Sequence, residues 1–131
     1  MYTLDNAVDG KRVRSTSSRT SPVFNPATGE QIGTLPLSTN AEIDAAVASA
    51  KKAQVAWGEM PSARRARVMF KFLELLNKNV DDLAREISRE HGKTHEDALG
   101  ECARGFEVVE FACGIPQMLK GEYSRNVGPG I

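Results

Sequence analysis

Apolar side chains recur at helical spacing along most of the chain after residue 37. The first such segment carries them at steps of three and four, at Ile43, Ala46, Val47, Ala50, Ala53 and Trp57. It is preceded by Thr39-Asn40-Ala41-Glu42, a capping box in which the hydroxyl caps a free amide and the carboxylate reaches back. The pattern predicts a first helix that begins behind Thr39 and stops near Gly58.

The same spacing predicts three more helices. Proline is favoured in the first turn of a helix, so Pro61 suits the start of a second helix through residue 76. A third helix is predicted up to about Gly92, from apolar positions that begin at Val80. A fourth is predicted over about residues 94–113, before Gly114 and Pro116.

The first 37 residues predict strands and turns instead. Asp9-Gly10, inside the segment 8–13, is typical of a tight β-hairpin. Residues 14–21 are polar and predict an exposed loop. The segment 25–30 predicts a turn, and a short strand over residues 31–37 follows, in which Pro36 marks an edge or the end.

Together these segments predict an α+β chain. The predicted parts are strands and turns with a β-hairpin and strand pair in residues 1–37, about four helices in residues 38–120, and a loop or incipient strand in residues 121–131.

Composition and charge exclude several classes of partner. Lys and Arg number 17 and so do Asp and Glu, so a net charge of zero gives no attraction for nucleic acid or an anionic membrane. No apolar run approaches the ~18 residues needed to span a bilayer, and residues 1–10 lack the pattern of a signal peptide. We expect a cytoplasmic protein, or one of the mitochondrial matrix if the source is eukaryotic.

The predicted fourth helix has two faces when its residues are placed at 100° intervals. One arc, about 80° wide, carries Ala98, Cys102, Phe106, Val109 and Cys113. The Cα atoms of the two cysteines would lie about 16 Å apart along the helix, too far for a disulfide, so both are predicted core residues. The roughly opposite stripe, Gly100, Arg104, Val108 and Phe111, is small and apolar apart from one guanidinium.

Arg104 needs an anion, because a partly buried unpaired charge is costly. From position alone a salt bridge to a carboxylate further along the chain is favoured. The alternative is a substrate carboxylate held by the planar guanidinium. Asp97 is a local competitor for the charge.

His91 and His95 have the four-residue spacing of a helical zinc pair. Gly92 interrupts the helix between them, and no third ligand is nearby. Both are predicted to be polar loop residues, and no metal site is predicted.

Several segments resemble aldehyde dehydrogenases. The turn Asn25-Pro26-Ala27-Thr28-Gly29-Glu30 resembles a hallmark near the start of that family, and the order of the later segments is similar too. Those segments are Ala56-Trp57, the run 64–72 and Glu90-His91-Gly92-Lys93-Thr94. Residues 100–116 are similar to the methylmalonate-semialdehyde dehydrogenases, the CoA-acylating branch of valine and inositol catabolism.

The resemblance implies the N-terminal part of a longer homo-oligomeric enzyme that uses NAD and CoA. In that family a thiolate attacks the aldehyde, hydride passes to NAD and the acyl group passes to CoA. The helices of this chain would pack on an α/β NAD-binding domain, and the tail from residue 121 would begin an oligomerisation arm.

The resemblance gives one residue a role. In this branch an Arg of the matching motif binds the carboxylate of the semialdehyde. The resemblance therefore implies that Arg104 is a substrate-binding residue. The nucleophilic Cys, the oxyanion-holding Asn and the cofactor sheet all lie after the position matching Ile131. No catalytic or cofactor-binding residue is therefore assigned, and the chain without the remainder of the enzyme is expected to be inactive and to bind neither cofactor.

Two alternatives stay open. One is another NAD(P)-dependent aldehyde dehydrogenase with a different substrate. Arg104 and the Gly-containing motif around it argue against this alternative. The other is a free-standing helical binding module derived from such an enzyme.

Overall fold

The computed structural model describes residues 1–122 of the chain. Within these residues five short strands come first and five helices follow, so the predicted α+β class is confirmed. The strands are β1 (Tyr2–Thr3), β2 (Asn6–Val8), β3 (Lys11–Val13), β4 (Thr20–Phe24) and β5 (Gln31–Pro36). The helices are α1 (Asn40–Glu59), α2 (Ser62–Lys78), α3 (Val80–His91), α4 (His95–Cys113) and α5 (Ile115–Met118).

The predicted hairpin is formed by β2 and β3. Val8 lies opposite Lys11, which leaves Asp9 and Gly10 as the two loop residues. Their φ angles of 53° and 69° are both left-handed, as a two-residue turn that matches the strand twist requires.

A separate three-stranded sheet has the order β1-β5-β4. The turn between β4 and β5 is closed by amide donors: Asn25 N–H donates to the Glu30 carbonyl and Gly29 N–H to the Asn25 carbonyl, each at 2.8 Å. β5 is the central strand, and Pro36 is its last residue, which confirms that this proline marks an end.

Three details differ from the sequence prediction. β1 was not predicted, because two residues carry no alternating pattern and their partner strand is remote in sequence. The loop predicted over residues 14–21 ends earlier, because β4 already starts at Thr20 and pairs with Pro36. The one-turn helix α5 was also not predicted, since Gly114 and Pro116 are typical of the end of a helix.

The four long helices begin and end close to their predicted limits. Thr39 is the N-cap of α1, and both hydrogen bonds of the capping box with Glu42 are present. α3 ends at Gly92, whose left-handed φ of 82° is the usual way to close a helix. α1 continues one residue beyond the predicted stop at Gly58.

The best-buried cluster lies between α3 and α4. Ala84 and Ala98 are both 0% exposed, and Cys102 is 6% exposed. Small side chains here allow the two helices to approach closely. Larger half-buried residues surround them, namely Val80, Leu83, Ile87, Leu99 and Phe106.

A few contacts join the strands to the helices. The Arg89 guanidinium carbon lies 5.3 Å from the centroid of the Tyr2 ring. Gly92 lies against the turn at Pro26, where an added Cβ would come within 3.2 Å of Pro26 Cγ. Glu42 of α1 accepts hydrogen bonds from Ser15 and Thr16 of the loop before β4.

Among the described residues, the helices are too short or too polar to cross a membrane. The predicted oligomerisation arm begins at residue 121 and lies outside the described residues from residue 123 onward.

Candidate functional site

The helix α4 is positioned by a cap and by its buried face. Thr94 is the N-cap, and its hydroxyl accepts from the Asp97 amide at 3.2 Å. Cys102 and Cys113 are both buried free thiols, so their predicted place in the core is confirmed. The cluster with α3 thus fixes which side of α4 points away from the core.

The opposite face of α4 carries the predicted second stripe. Val108 is 68% exposed and Phe111 is 64% exposed, and Arg104 is exposed as well. Nothing within residues 1–122 covers these side chains, so α4 presents an apolar surface with one cation on it.

The Arg104 side chain extends back toward the start of α4. A Cβ built on Gly100, four residues earlier, would lie 4.0 Å from Arg104 Nη1. Long helical side chains usually lean this way, over the preceding turn. None of the ion pairs formed within residues 1–122 includes Arg104.

Asp97 was the predicted local competitor for Arg104, and the structure places its carboxylate elsewhere. The Thr94 hydroxyl donates to Asp97 Oδ2 at 2.9 Å, which folds this carboxylate back onto the helix start. Asp97 therefore belongs to the cap of α4.

Glu101 is the second carboxylate near Arg104, and sequence reasoning gave it no role. Lys93, in the link between α3 and α4, places Nζ 2.8 Å from Glu101 Oε1. This hydrogen bond lowers the pKa of Glu101, and Coulombic interactions with Lys93, His91 and Arg104 add smaller effects in the same direction. The sequence signal for this pair was weak, because opposite charges on either side of a helix start are common.

The two histidines lie at the facing ends of α3 and α4, so the prediction that both are loop residues was wrong. His95 Nε2 is 2.9 Å from Asp81 Oδ1, and Asp81 is also paired with Arg85. His91 is the last residue of α3. Within residues 1–122, His, Cys, Asp and Glu form no group of three that could hold a metal.

A separate cavity of about 290 Å³ lies among α1, α2, α4 and α5. Its lining is mostly apolar and includes Trp57, Met69 and Ala112, together with Arg65. The Nε atom of Arg65 is buried and has no hydrogen-bond acceptor within the described part of the chain. Arg104 is not among the lining residues.

The chain was compared with known proteins. The malonate-semialdehyde dehydrogenase of Pseudomonas aeruginosa is 47% identical over 131 residues, which are 100% of this chain and 26% of that protein. The acylating, mitochondrial methylmalonate-semialdehyde dehydrogenase of Arabidopsis thaliana is 48% identical over 128 residues, 98% of this chain and 21% of that protein. This chain thus spans about a quarter of the length of such relatives.

A solved structure agrees with this likeness. A Sinorhizobium meliloti protein, assigned as a methylmalonate-semialdehyde dehydrogenase and complexed with NAD, superposes with a TM-score of 0.92 at 53% identity. The superposition covers 99% of this chain and 26% of that one. The model of the aldehyde dehydrogenase family matches residues 13–130, and the chain therefore belongs to the aldehyde dehydrogenase family.

Proposed function

We propose that this chain supplies the N-terminal part of an NAD-dependent, CoA-acylating malonate- or methylmalonate-semialdehyde dehydrogenase. The enzyme would oxidise a semialdehyde to an acyl-CoA. The proposal is supported by the names of the Pseudomonas and Arabidopsis relatives, and by the NAD bound to the Sinorhizobium structure. The word acylating in the Arabidopsis name supports CoA as the acyl acceptor.

Within this enzyme we assign Arg104 to the carboxylate of the semialdehyde. The observation that carries the assignment is the place of Arg104 on the exposed apolar face of α4. No carboxylate of residues 1–122 pairs with it there. A guanidinium offers two parallel N–H groups to a carboxylate, and apolar neighbours strengthen that interaction by excluding water.

The chemical steps belong to the remainder of the enzyme. Nucleophile, oxyanion donor, NAD and CoA would all be held by residues that follow this chain. The chain alone is expected to be inactive. The complete protein is proposed to be a homo-oligomer in the cytoplasm, or in the mitochondrial matrix of a eukaryote.

A chimera tests the assignment of Arg104. This chain would replace the matching quarter of the Pseudomonas aeruginosa relative, and kcat/KM would be measured for malonate semialdehyde and for propanal. Arg104→Leu should lower the semialdehyde-to-propanal ratio about ten- to a hundredfold, because a hydrogen bond to a charged group contributes about 1.5–3 kcal/mol. Arg64→Leu, which removes an exposed arginine of α2, is the matched control and should leave the ratio unchanged.

Equal losses on both substrates would assign Arg104 a structural role instead. The unfused chain, assayed with NAD, CoA and malonate semialdehyde, should form no NADH above background. Thiol-dependent NADH formation by the unfused chain would contradict the proposal that the catalytic residues belong to the remainder of the enzyme.

A further inference from the structure

We infer that Lys93 is a positioning residue, which keeps Arg104 available to a carboxylate-bearing substrate by holding Glu101 away from it. The inference rests on the proposed function, because it presupposes that Arg104 receives the substrate carboxylate. Its basis is the arrangement of three charged side chains, those of Lys93, Glu101 and Arg104, around the first three turns of α4.

Glu101 is the natural partner of Arg104. Residues three apart on a helix are neighbours, and a carboxylate three residues before an arginine pairs with it readily. The Arg104 side chain also extends toward the start of α4, so that its guanidinium lies over Gly100. The guanidinium is therefore on the side where Glu101 is found, and it points away from Glu107. An unrestrained Glu101 carboxylate would therefore be expected to meet the guanidinium.

Lys93 prevents this pairing. It precedes α4, and its ammonium reaches the Glu101 carboxylate at 2.8 Å. The Lys93 side chain is only 18% exposed and that of Glu101 is 39% exposed, so water screens this pair less than a surface pair. The pKa of Glu101 is lowered chiefly by this hydrogen bond, in agreement with a carboxylate that stays ionised and engaged with Lys93.

The other acidic residue on this side of α4 is restrained as well. Asp97 lies one turn before Glu101, and the Thr94 hydroxyl donates to it at 2.9 Å. Asp97 and Glu101, the two carboxylates on this side of α4 that precede Arg104, are thus engaged by residues before the helix start. Within residues 1–122, the segment Lys93-Thr94 thereby leaves the guanidinium as an unneutralised positive charge on an apolar face.

The consequence is selectivity for charged substrates. If Glu101 were released, an incoming semialdehyde would have to displace its carboxylate from Arg104, whereas a neutral aldehyde would meet no such competitor. Lys93→Met should therefore raise the KM for malonate semialdehyde and leave its kcat unchanged, since the loss falls on binding. The expected change in KM is about two- to fivefold, which corresponds to a competing exposed ion pair.

The test uses the chimera with the Pseudomonas aeruginosa relative and four sets of variants. Lys93→Met alone should lower the semialdehyde-to-propanal ratio of kcat/KM about two- to fivefold. Adding Glu101→Gln to Lys93→Met should restore the ratio, because a neutral amide does not compete for Arg104. Lys93→Arg should retain the ratio, since a guanidinium also forms a charge-assisted hydrogen bond with a carboxylate.

The restoration separates positioning from a structural role. If Lys93→Met and the double variant lower the ratio equally, the ion pair merely stabilises the helix start and the inference is wrong. A Lys93→Met ratio equal to that of the parent chimera would overturn it too. The fourth set, Arg104→Leu, isolates the underlying proposal: if it leaves the ratio unchanged, the assignment of Arg104 is what fails, and the inference falls with it.

Discussion

The carboxylate of Glu42 shows how much one residue can organise. It accepts from the backbone amides of Thr16 and Thr39 at 2.7 and 2.8 Å, and from the Ser15 hydroxyl at 2.8 Å. These donors lower its pKa from 4.5 to about 2, and the backbone amide of Thr16 makes the largest contribution. One side chain thus caps α1 and holds the loop before β4 to it.

This arrangement has a defined pH dependence. Because the pKa of Glu42 is depressed in the folded chain, its contribution is fully present above about pH 4.5 and is lost as the pH falls through about 2. An NMR titration should therefore show the Thr16 amide signal moving with a midpoint near pH 2. A midpoint near 4.5 would contradict the hydrogen bonds described.

A substitution gives the same test at neutral pH. Glu42→Gln should speed hydrogen exchange at the Thr16 amide, because a neutral amide oxygen accepts more weakly than a carboxylate. Glu59→Gln, at the exposed other end of α1, is the matched control and should have no effect on Thr16.

The sequence predicted only part of what these residues do. The local bonds between Thr39 and Glu42 follow from a four-residue motif, so they could be predicted. The bonds from Ser15 and Thr16 could not, because the path of that loop depends on how β4 pairs with β5. The Lys93–Glu101 pair was missed for a similar reason, since it depends on the angle at which α4 leaves the link after α3.

At the level of elements, small residues decide how α3 meets α4. Ala84 and Ala98 have no exposed surface, so no space is left for a larger side chain at either position. The periodic pattern predicted that Ala98 faces the core, and the structure confirms it. The pattern could not say that α3 supplies the opposing surface.

A pair of identical substitutions on α4 tests this packing. Ala98→Leu should destabilise the α3–α4 pair by about 1–3 kcal/mol, because extra methyl groups in a packed contact force the helices apart. Ala103→Leu makes the same change at an exposed position of the same helix and should cost little.

Hydrogen–deuterium exchange of the α3 amides is the measurement. We expect faster exchange in Ala98→Leu and unchanged exchange in Ala103→Leu. Equal exchange in the two variants would mean that the contact is looser than the burial of Ala98 indicates.

Element limits were predictable where a helix had both a cap and several turns of pattern. Thr39 and Gly92 are such signals, and each lies at the helix end that it predicted. The fourth helix was predicted to begin at about residue 94, and Thr94 is its N-cap. β1 and α5 span two and four residues, which is too few for any periodicity. Their formation depends on partners elsewhere in the fold.

At the level of the whole molecule, large apolar surfaces are left uncovered by residues 1–122. Apolar residues surround most of α2, a pattern that predicts neighbouring elements on two sides of this helix. In the structure Ala66 is buried and Met69 is half-buried on one side. Other apolar residues of α2 are exposed by 45 to 57%, namely Val68, Phe70, Phe72 and Leu75.

These surfaces lead to a prediction about the chain on its own. We expect it to bind the dye ANS, to self-associate, or to melt without a sharp transition, because each large side chain left in water forgoes about 1.5–3 kcal/mol of burial. Size-exclusion chromatography, ANS fluorescence and thermal melting measure these properties. Phe70→Glu combined with Phe111→Glu should lower dye binding, whereas Ala48→Glu on the exposed side of α1 should not.

A monodisperse chain that binds no dye and melts in one steep transition would contradict this prediction. It would favour the free-standing binding module that the sequence left open. Dye binding with intact helical circular dichroism would support a chain whose apolar faces are covered by the remainder of the enzyme.

The contact between Gly92 and Pro26 limits how this molecule can diverge. Asparagine is the usual substitute for glycine at a left-handed helix end, but its Cβ would lie only 3.2 Å from Pro26 Cγ. The positive φ angle of Gly92 and the contact with Pro26 therefore restrict position 92 independently. In a library randomised at both positions, Gly92→Asn should survive chiefly together with Pro26→Ala, and β-branched residues at position 92 should not survive at all. The turn between β4 and β5 and the end of α3 are thus expected to change together during evolution.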